Sequence, residues 1–227
     1  MKKTSETSGA PVADRETSTK APAKPRGRPL SFDRDAALEQ AMHVFWERGY
    51  EAASIADLTA AMGITTPSLY TAFGDKERLF LEAIERYALG PGSAGPRALK
   101  EEPTARAAIE RWLQESADEL TRPCHPKGCM VVMATTNCSV AAEHVQTALT
   151  KRRAVAIANI RTRIQEGIEK GELPSDTDAK ALSNFYATIY QGMSMQAKDG
   201  ATRASLMTTV DAAMRAWPEA HSNRRKV

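Results

Sequence analysis

The chain of 227 residues carries 31 Lys and Arg against 28 Asp and Glu, a formal net charge of +3, with 42% hydrophobic and 26% charged residues. That balance is ordinary for a globular protein, excludes a polybasic coat, and leaves room for one sizeable core or a small domain plus a larger one. No apolar run approaches the roughly 18 residues of a membrane span, and the lysines near residue 1 precede no apolar stretch of a secretory signal. The three cysteines are odd in number and widely spaced, which argues against a disulfide framework and for a reducing, cytoplasmic setting.

Residues 1–27 hold mainly Thr, Ser, Ala, Pro, Lys and Glu and are expected to form a disordered basic arm. Up to residue 30 there are seven basic residues against three acidic ones. Ser31 or Asp33 can cap a first helix, with Phe32 packing back as a staple. Ala37, Leu38, Ala41, Val44 and Phe45 recur at three- and four-residue steps, so one face is apolar, and Gly49 is expected to end the helix. Ser54 caps a second helix, in which Ile55, Leu58 and Met62 share a face, and Gly63 supplies a turn. Thr65 or Thr66 caps a third, with Pro67 in its first turn, where a missing N–H costs nothing. Gly74 ends it. Asp75 caps a fourth, with Leu79, Phe80, Ala83, Ile84 and Tyr87 as its buried stripe.

Residues 90–96 are rich in Gly and Pro and read as a link. Thr104 caps a helix carrying Ala108, Ile109, Trp112 and Leu120, and residues 123–128 read as a loop. Cys129 to Ala142 is apolar enough for a buried helix. A long helix over 143–170 is expected to stop at Gly171 and Pro174. Asp176 or Thr177 caps another, from about 178 to 198, and the last runs from Thr202 to Trp217 and is stopped by Pro218. No strand and no repeat is evident, so the fold class is all-α, with about nine helices.

Two short helices joined at Gly63 have the form of a helix-turn-helix. The first turn of the second helix offers Thr65, Thr66 and Ser68, small side chains that admit close backbone approach and hydroxyls that reach phosphates or base edges. Its N–H groups favour phosphate. Tyr70 and Thr71 lie on its outer faces, Leu69 and Phe73 point inward, and Lys76 follows as a phosphate clamp. The bland alternative is an ordinary helical corner. Ala37-Leu38, Ala41, Phe45, Gly49-Tyr50, Ile55, Leu58, Gly63-Ile64, Leu69-Tyr70, Phe73 and Lys76 to Leu79 together resemble the DNA-binding domain of TetR-family transcriptional regulators, over about 50 residues without a gap. That resemblance implies a homodimeric regulator with an N-terminal reader and a larger helical domain for effector binding and dimerisation. It places Tyr70 and Lys76 on phosphates, and Thr65, Thr66, Pro67, Ser68 and Thr71 toward the groove, with Ser54 beside them. Family members often have glycine where Pro67 stands; proline removes a backbone donor there, which argues against a main-chain phosphate contact at that position. The corresponding domains are 28–75 for DNA binding, 76–220 for effector and dimer, and 221–227 as a basic tail.

Pro25-Arg26-Gly27-Arg28-Pro29 resembles the core of an AT-hook, in which extended arginines follow the narrow minor groove, so Arg26 and Arg28 join the DNA-binding set. A plain solubilising tail is the alternative. Cys124, His125, Cys129, Cys138 and His144 could serve a soft metal or a thiol sensor. Cys129 and Cys138, nine residues apart on a helix, face opposite sides and cannot share an ion. Only Cys124, His125 and Cys129 lie close enough, so core or loop cysteines are the simpler reading and no metal is expected.

In the second domain Trp112, Met130, Met133, Asn137, Phe185, Tyr186 and Tyr190 have the aromatic and flexible character of a permissive small-molecule pocket, with plain helical core as the alternative. Leu182, Phe185, Ile189 and Met193, then Leu206, Val210, Met214 and Trp217, form two apolar stripes that would make a four-helix dimer interface; an internal core is again the alternative. Dimerisation would set two reading helices about 34–36 Å apart on a palindromic double-stranded operator. No nucleophile–base pair, phosphate loop or metal motif supports an enzyme or a cofactor. The expectation is a cytoplasmic repressor released by a small molecule. The alternatives are a thiol- or metal-responsive repressor using Cys124, Cys129 and Cys138, and an architectural DNA-binding protein without a ligand.

Overall fold

Helix ends in this chain are set by caps and glycines, and the computed structural model shows them over residues 32–134 and 142–219, the residues it describes. Among these are ten α-helices and no strand: α1 Arg34–Ala52, α2 Ile55–Met62, α3 Thr66–Phe73, α4 Lys76–Leu89, α5 Ala94–Glu101, α6 Ala105–Thr121, α7 Met130–Met133, α8 Glu143–Glu169, α9 Ala179–Lys198 and α10 Arg203–Met214. None of the described helices is long and apolar enough to cross a membrane.

The Asp33 carboxylate accepts from the N–H groups of Asp35 and Ala36 and opens α1. Gly49 does not end this helix. It breaks it at φ 78°, after which the chain turns helical again to Ala52. α2 opens on a reciprocal box in which Ser54 Oγ accepts from the Asp57 N–H while the Asp57 carboxylate accepts from the Ser54 N–H. Gly63, at φ 66°, turns the chain so that the Ile64 N–H reaches the Thr59 carbonyl. Thr65 and Asp75 cap α3 and α4. Leu38, Phe45, Leu58, Leu69, Phe73 and Phe80 close the core of this first bundle. Arg34 ties its ends: the guanidinium lies 4.3 Å over the Phe73 ring, donates to the Ala72 carbonyl at 3.3 Å, and pairs with Glu82 at 2.6 Å.

The hydrogen bonds from Ser54 and then from Arg48 hold the Asp57 carboxyl below its usual value of 3.8. A lowered folded-state pKa stabilises the fold above the unfolded value and is lost as pH falls through the lowered one. Ser54→Ala is expected to lower the urea-unfolding midpoint at neutral pH by loss of the cap, with the difference from wild type shrinking as pH falls below the usual carboxylate value.

The Gly- and Pro-rich stretch after α4 is structured. Pro91–Ser93 form a 3₁₀ turn that leads directly into α5. Pro91 and Pro96 fall in first turns, where no N–H is needed. Gly95 lets α5 lie against α6: a Cβ there would meet Trp112 Cδ1 at 2.9 Å. Asp178, one residue later than the expected cap, opens α9 by accepting from the N–H groups of Lys180 and Ala181. The helix expected from Cys129 to Ala142 is described only as the short α7. Asn137 and Cys138 lie outside the described residues, as do Arg26, Arg28 and the basic tail. α10 ends at Met214, before Trp217. α6, α8, α9 and α10 pack on one another, and their core is continuous with that of the first bundle through Trp46, Tyr87 and Met130.

Candidate DNA-reading face and ligand cavity

α3 presents its first turn and one flank outward. Thr65, Thr66, Pro67, Tyr70 and Thr71 are exposed, Ser68 is half-buried, and Leu69 and Phe73 are buried beneath them. Thr65 Oγ1 lies 2.9 Å from Ser68 Oγ and accepts from the Ser68 N–H at 3.4 Å, while the Thr71 hydroxyl donates to the Pro67 carbonyl at 2.8 Å. These bonds fix the rotamers and leave the phenol of Tyr70, 48% exposed, projecting from the helix. Ser54 is exposed at the start of α2, with its hydroxyl engaged by Asp57.

Lys76 departs from a free clamp. It opens α4, and its Nζ donates to the Glu51 carbonyl at 3.3 Å and sits 4.6 Å over the Tyr50 ring. Desolvation holds its pKa below the usual value, while the Glu51 carboxylate acts in the opposite sense. The ammonium is thus pre-positioned against the far end of α1, beyond the Gly49 break.

A cavity of about 490 Å³ opens between α4, α5, α6, α8 and α9. Its apolar wall includes Tyr87, Leu99, Trp112, Val131, Ile157 and Tyr190. Its polar groups are Ser116, Glu119, Asn159, Gln191 and the basic run Lys151, Arg152 and Arg153. Of the residues singled out from sequence, Trp112 and Tyr190 line it, their rings 5.3 Å apart. Met130 and Tyr186 are buried elsewhere in the core, with the Tyr186 phenol donating to the Ala213 carbonyl. Burial pushes the Tyr186 pKa up to about 12. Phe185 faces outward, and Met133 is half-buried beside Gly128, away from the wall. The cavity residues that sequence reasoning missed lie in the supposed link, on the exposed middle of α8, and singly on α4, α6, α7 and α9.

Cys129 is buried and lines the cavity. Its thiol neighbours the phenols of Tyr87 and Tyr190. Both phenols are raised well above their usual value, first by desolvation and then by the neighbouring thiol. Cys124 is exposed. His125 is occupied: its Nε2 donates to Glu119 Oε1 at 2.7 Å and its Nδ1 lies 3.2 Å from the Pro126 carbonyl oxygen. Among the described residues no group of three Cys, His, Asp or Glu side chains is placed to hold a metal, so Cys124, His125 and Cys129 do not form one.

The two stripes expected at a dimer interface divide. Met193, Leu206, Val210, Met214 and Trp217 are buried in the protomer's own core. They attach α9 and α10 to the body, because the most apolar face of an amphipathic helix is spent first on its own domain. Leu182 and Ile189 are half-buried and Phe185 is 39% exposed, and with Met195 at 41% they leave an outer face on α9.

Residues 37–83 match the sequence model described as "Bacterial regulatory proteins, tetR family", and residues 103–217 that of "Tetracyclin repressor-like, C-terminal domain". The chain is 36% identical over 204 residues to the HTH-type transcriptional repressor ComR of Escherichia coli, spanning 89% of this chain and 97% of that one. It is 26% identical over 194 residues to the repressor BdcR of the same organism, spanning 84% and 92%. A solved structure of a cysteine-substituted CifR, a TetR-family regulator complexed with 26bp double-strand operator DNA, superposes with a TM-score of 0.82 at 45% identity, covering 85% of this chain and 100% of that chain. The matched helix-turn-helix, the matched C-terminal domain and the near full-length relatives agree: the chain belongs to the TetR family of DNA-binding transcriptional regulators.

Proposed function

We propose that this regulator is a homodimeric cytoplasmic repressor that reads a palindromic operator with α3 and leaves it when an apolar small molecule fills the cavity. The observation that carries this reading is the pairing of an exposed hydroxyl-lined helix start with a cavity of about 490 Å³ walled by Trp112, Tyr87 and Tyr190. Its volume is that of a small-molecule site, and its aromatic wall suits an apolar ligand body, with Ser116, Glu119, Asn159, Gln191 and the Lys151–Arg153 run to meet the ligand's polar atoms. Thr65, Thr66, Pro67, Ser68 and Thr71 face the groove, Ser54, Tyr70 and Lys76 contact phosphates, and Arg26 and Arg28 supply a minor-groove arm. Titration of the protein, bound to a duplex selected by it from a random pool, with apolar molecules that fit the cavity tests release. A molecule at about a hundredfold over its Kd raises stability by about 2.7 kcal/mol and frees the DNA. Molecules that raise the melting temperature yet leave the DNA bound would contradict the reading.

A second reading is favoured by the position of Cys129. Its thiol opens on the cavity between two phenols, so a covalent adduct there would occupy the same space as a ligand. N-ethylmaleimide treatment of Cys124→Ser/Cys138→Ser protein is expected to add one adduct and weaken operator binding. Modification without loss of binding would exclude the thiol as a trigger.

A further inference from the structure

The cavity and the DNA-reading bundle meet at one buried joint built on Trp46. The indole is 2% exposed and its N–H donates to the Gly128 carbonyl at 2.8 Å, joining α1 to the loop before α7. Besides His43, whose ring meets it edge-on at 6.4 Å, two side chains support it. The His125 ring stacks on it, centroids 4.4 Å apart at 26°, and the Tyr87 ring meets it in a T-shaped contact at 4.8 Å. Each support reaches the cavity. Tyr87 lines it directly, and His125 is held by Glu119, which lines it too. Glu119 is also paired with Arg122 at 2.9 Å.

On the other side, Trp46 stands three residues before the Gly49 break in α1. Immediately beyond that break, Tyr50 and the Glu51 carbonyl hold the Lys76 ammonium. We propose that occupancy of the cavity is transmitted to the DNA-reading bundle through Glu119, His125 and Trp46, and from Trp46 across the Gly49 break to Lys76. Glu119, His125 and Trp46 act here as positioning residues. The inference rests on the proposed role of the cavity as an effector site. A ligand shifts an equilibrium only by interacting differently with its two states. A ligand that takes the Glu119 carboxylate for itself, or displaces the Tyr87 ring, removes one of the two supports of the indole. That is a differential interaction. The Gly49 break is the flexible point at which a small tilt of the indole moves the Tyr50–Glu51 seat of Lys76.

A chain of contacts becomes a pathway only when its members are shown to be coupled. The test is a double-mutant cycle on operator affinity without any ligand, using full-length protein and a duplex selected from a random pool by the wild type. Glu119→Ala is expected to weaken binding about tenfold, equivalent to about 1.4 kcal/mol. In a Lys76→Ala or a His125→Ala background the same change should have less than a twofold effect. Glu119→Gln, which keeps an acceptor for His125 Nε2, should restore wild-type affinity. A purely structural Glu119 would give additive losses with Lys76→Ala, because those two residues share no contact and are otherwise independent, whereas Glu119 and His125 are hydrogen-bonded and couple in either case; additivity in the Lys76→Ala background overturns the proposal. So does unchanged binding by Glu119→Ala. Melting curves of each variant keep global unfolding from passing as coupling, and a loss with Glu119→Gln equal to that with Glu119→Ala also overturns it. Failure of the wild type to select any duplex would overturn the proposed operator function itself, a separate result from additivity.

Discussion

Trp46→Ala is expected to destabilise the protein by about 3–5 kcal/mol, the range for emptying a buried aromatic site. The indole is in contact with His125 on its face and Tyr87 at its edge and is almost wholly shielded from solvent. Its removal leaves a cavity between rigid helices and also orphans the buried Gly128 carbonyl it now serves, a desolvation cost of about 1–3 kcal/mol. Neither α1 nor α4 can collapse into the gap, since α1 is pinned by the ion pairs of Arg34 with Glu82 and of Arg86 with Glu39. Urea unfolding should show a lower midpoint with an unchanged slope. Trp46→Phe, which keeps an aromatic ring for stacking but loses the N–H and part of the indole's volume, should recover more than half of the loss. A loss under about 1 kcal/mol for the alanine variant would contradict a packed joint.

Phe185→Asp is expected to convert the dimer into monomers and to lower operator affinity by at least a hundredfold. Phe185 and Met195 are among the few large apolar side chains left exposed by the protomer, 39% and 41%, and both lie on α9. Thr188 and Gly192 between them, and Ala181 one turn before, are exposed and small, so a second helix can approach closely. An unpaired carboxylate buried in such a contact costs several kcal/mol. A monomer then binds each half-site alone and loses the 10²–10⁴ gain that linkage of two sites provides. Phe185 makes little of the protomer's core, so the melting curve of the separated protomer should stay cooperative. Sedimentation that still shows a dimer would place the interface elsewhere.

The reading bundle was largely legible because its signals are local, the exception being Gly49, which breaks α1 where an end was expected. Asp33, Ser54, Thr65 and Asp75 sit at caps, and Gly63 takes the left-handed turn expected of it. Three features escaped. The stretch from Gly90 is helical because its prolines fall in first turns and Gly95 is a close-approach residue against Trp112, so a breaker composition marked packing rather than a link. Periodicity finds a buried face without telling which body it faces, so the stripes of α9 and α10 read as an interface while Met193, Leu206 and Val210 belong to the internal core. Cavity walls show no period at all: Tyr87, Glu119, Val131 and Gln191 come from four separate segments. A hint of the joint was present in helix α1, where Met42 and Trp46 widen the apolar face beyond the Leu38–Phe45 stripe, as a helix needs when it packs on two bodies.

Footprinting and affinity measurement on wild type and Thr66→Glu test directly whether the exposed start of α3 reads DNA. Thr66 is the first residue of α3 and is exposed. A glutamate there favours the helix dipole and leaves folding intact, while it sets a negative charge against phosphate. Two protected half-sites about one helical turn apart are expected for the wild type, and loss of that protection by Thr66→Glu at an unchanged melting temperature. Protection without sequence preference, or a Thr66→Glu variant that binds as the wild type does, would contradict a reading role for α3.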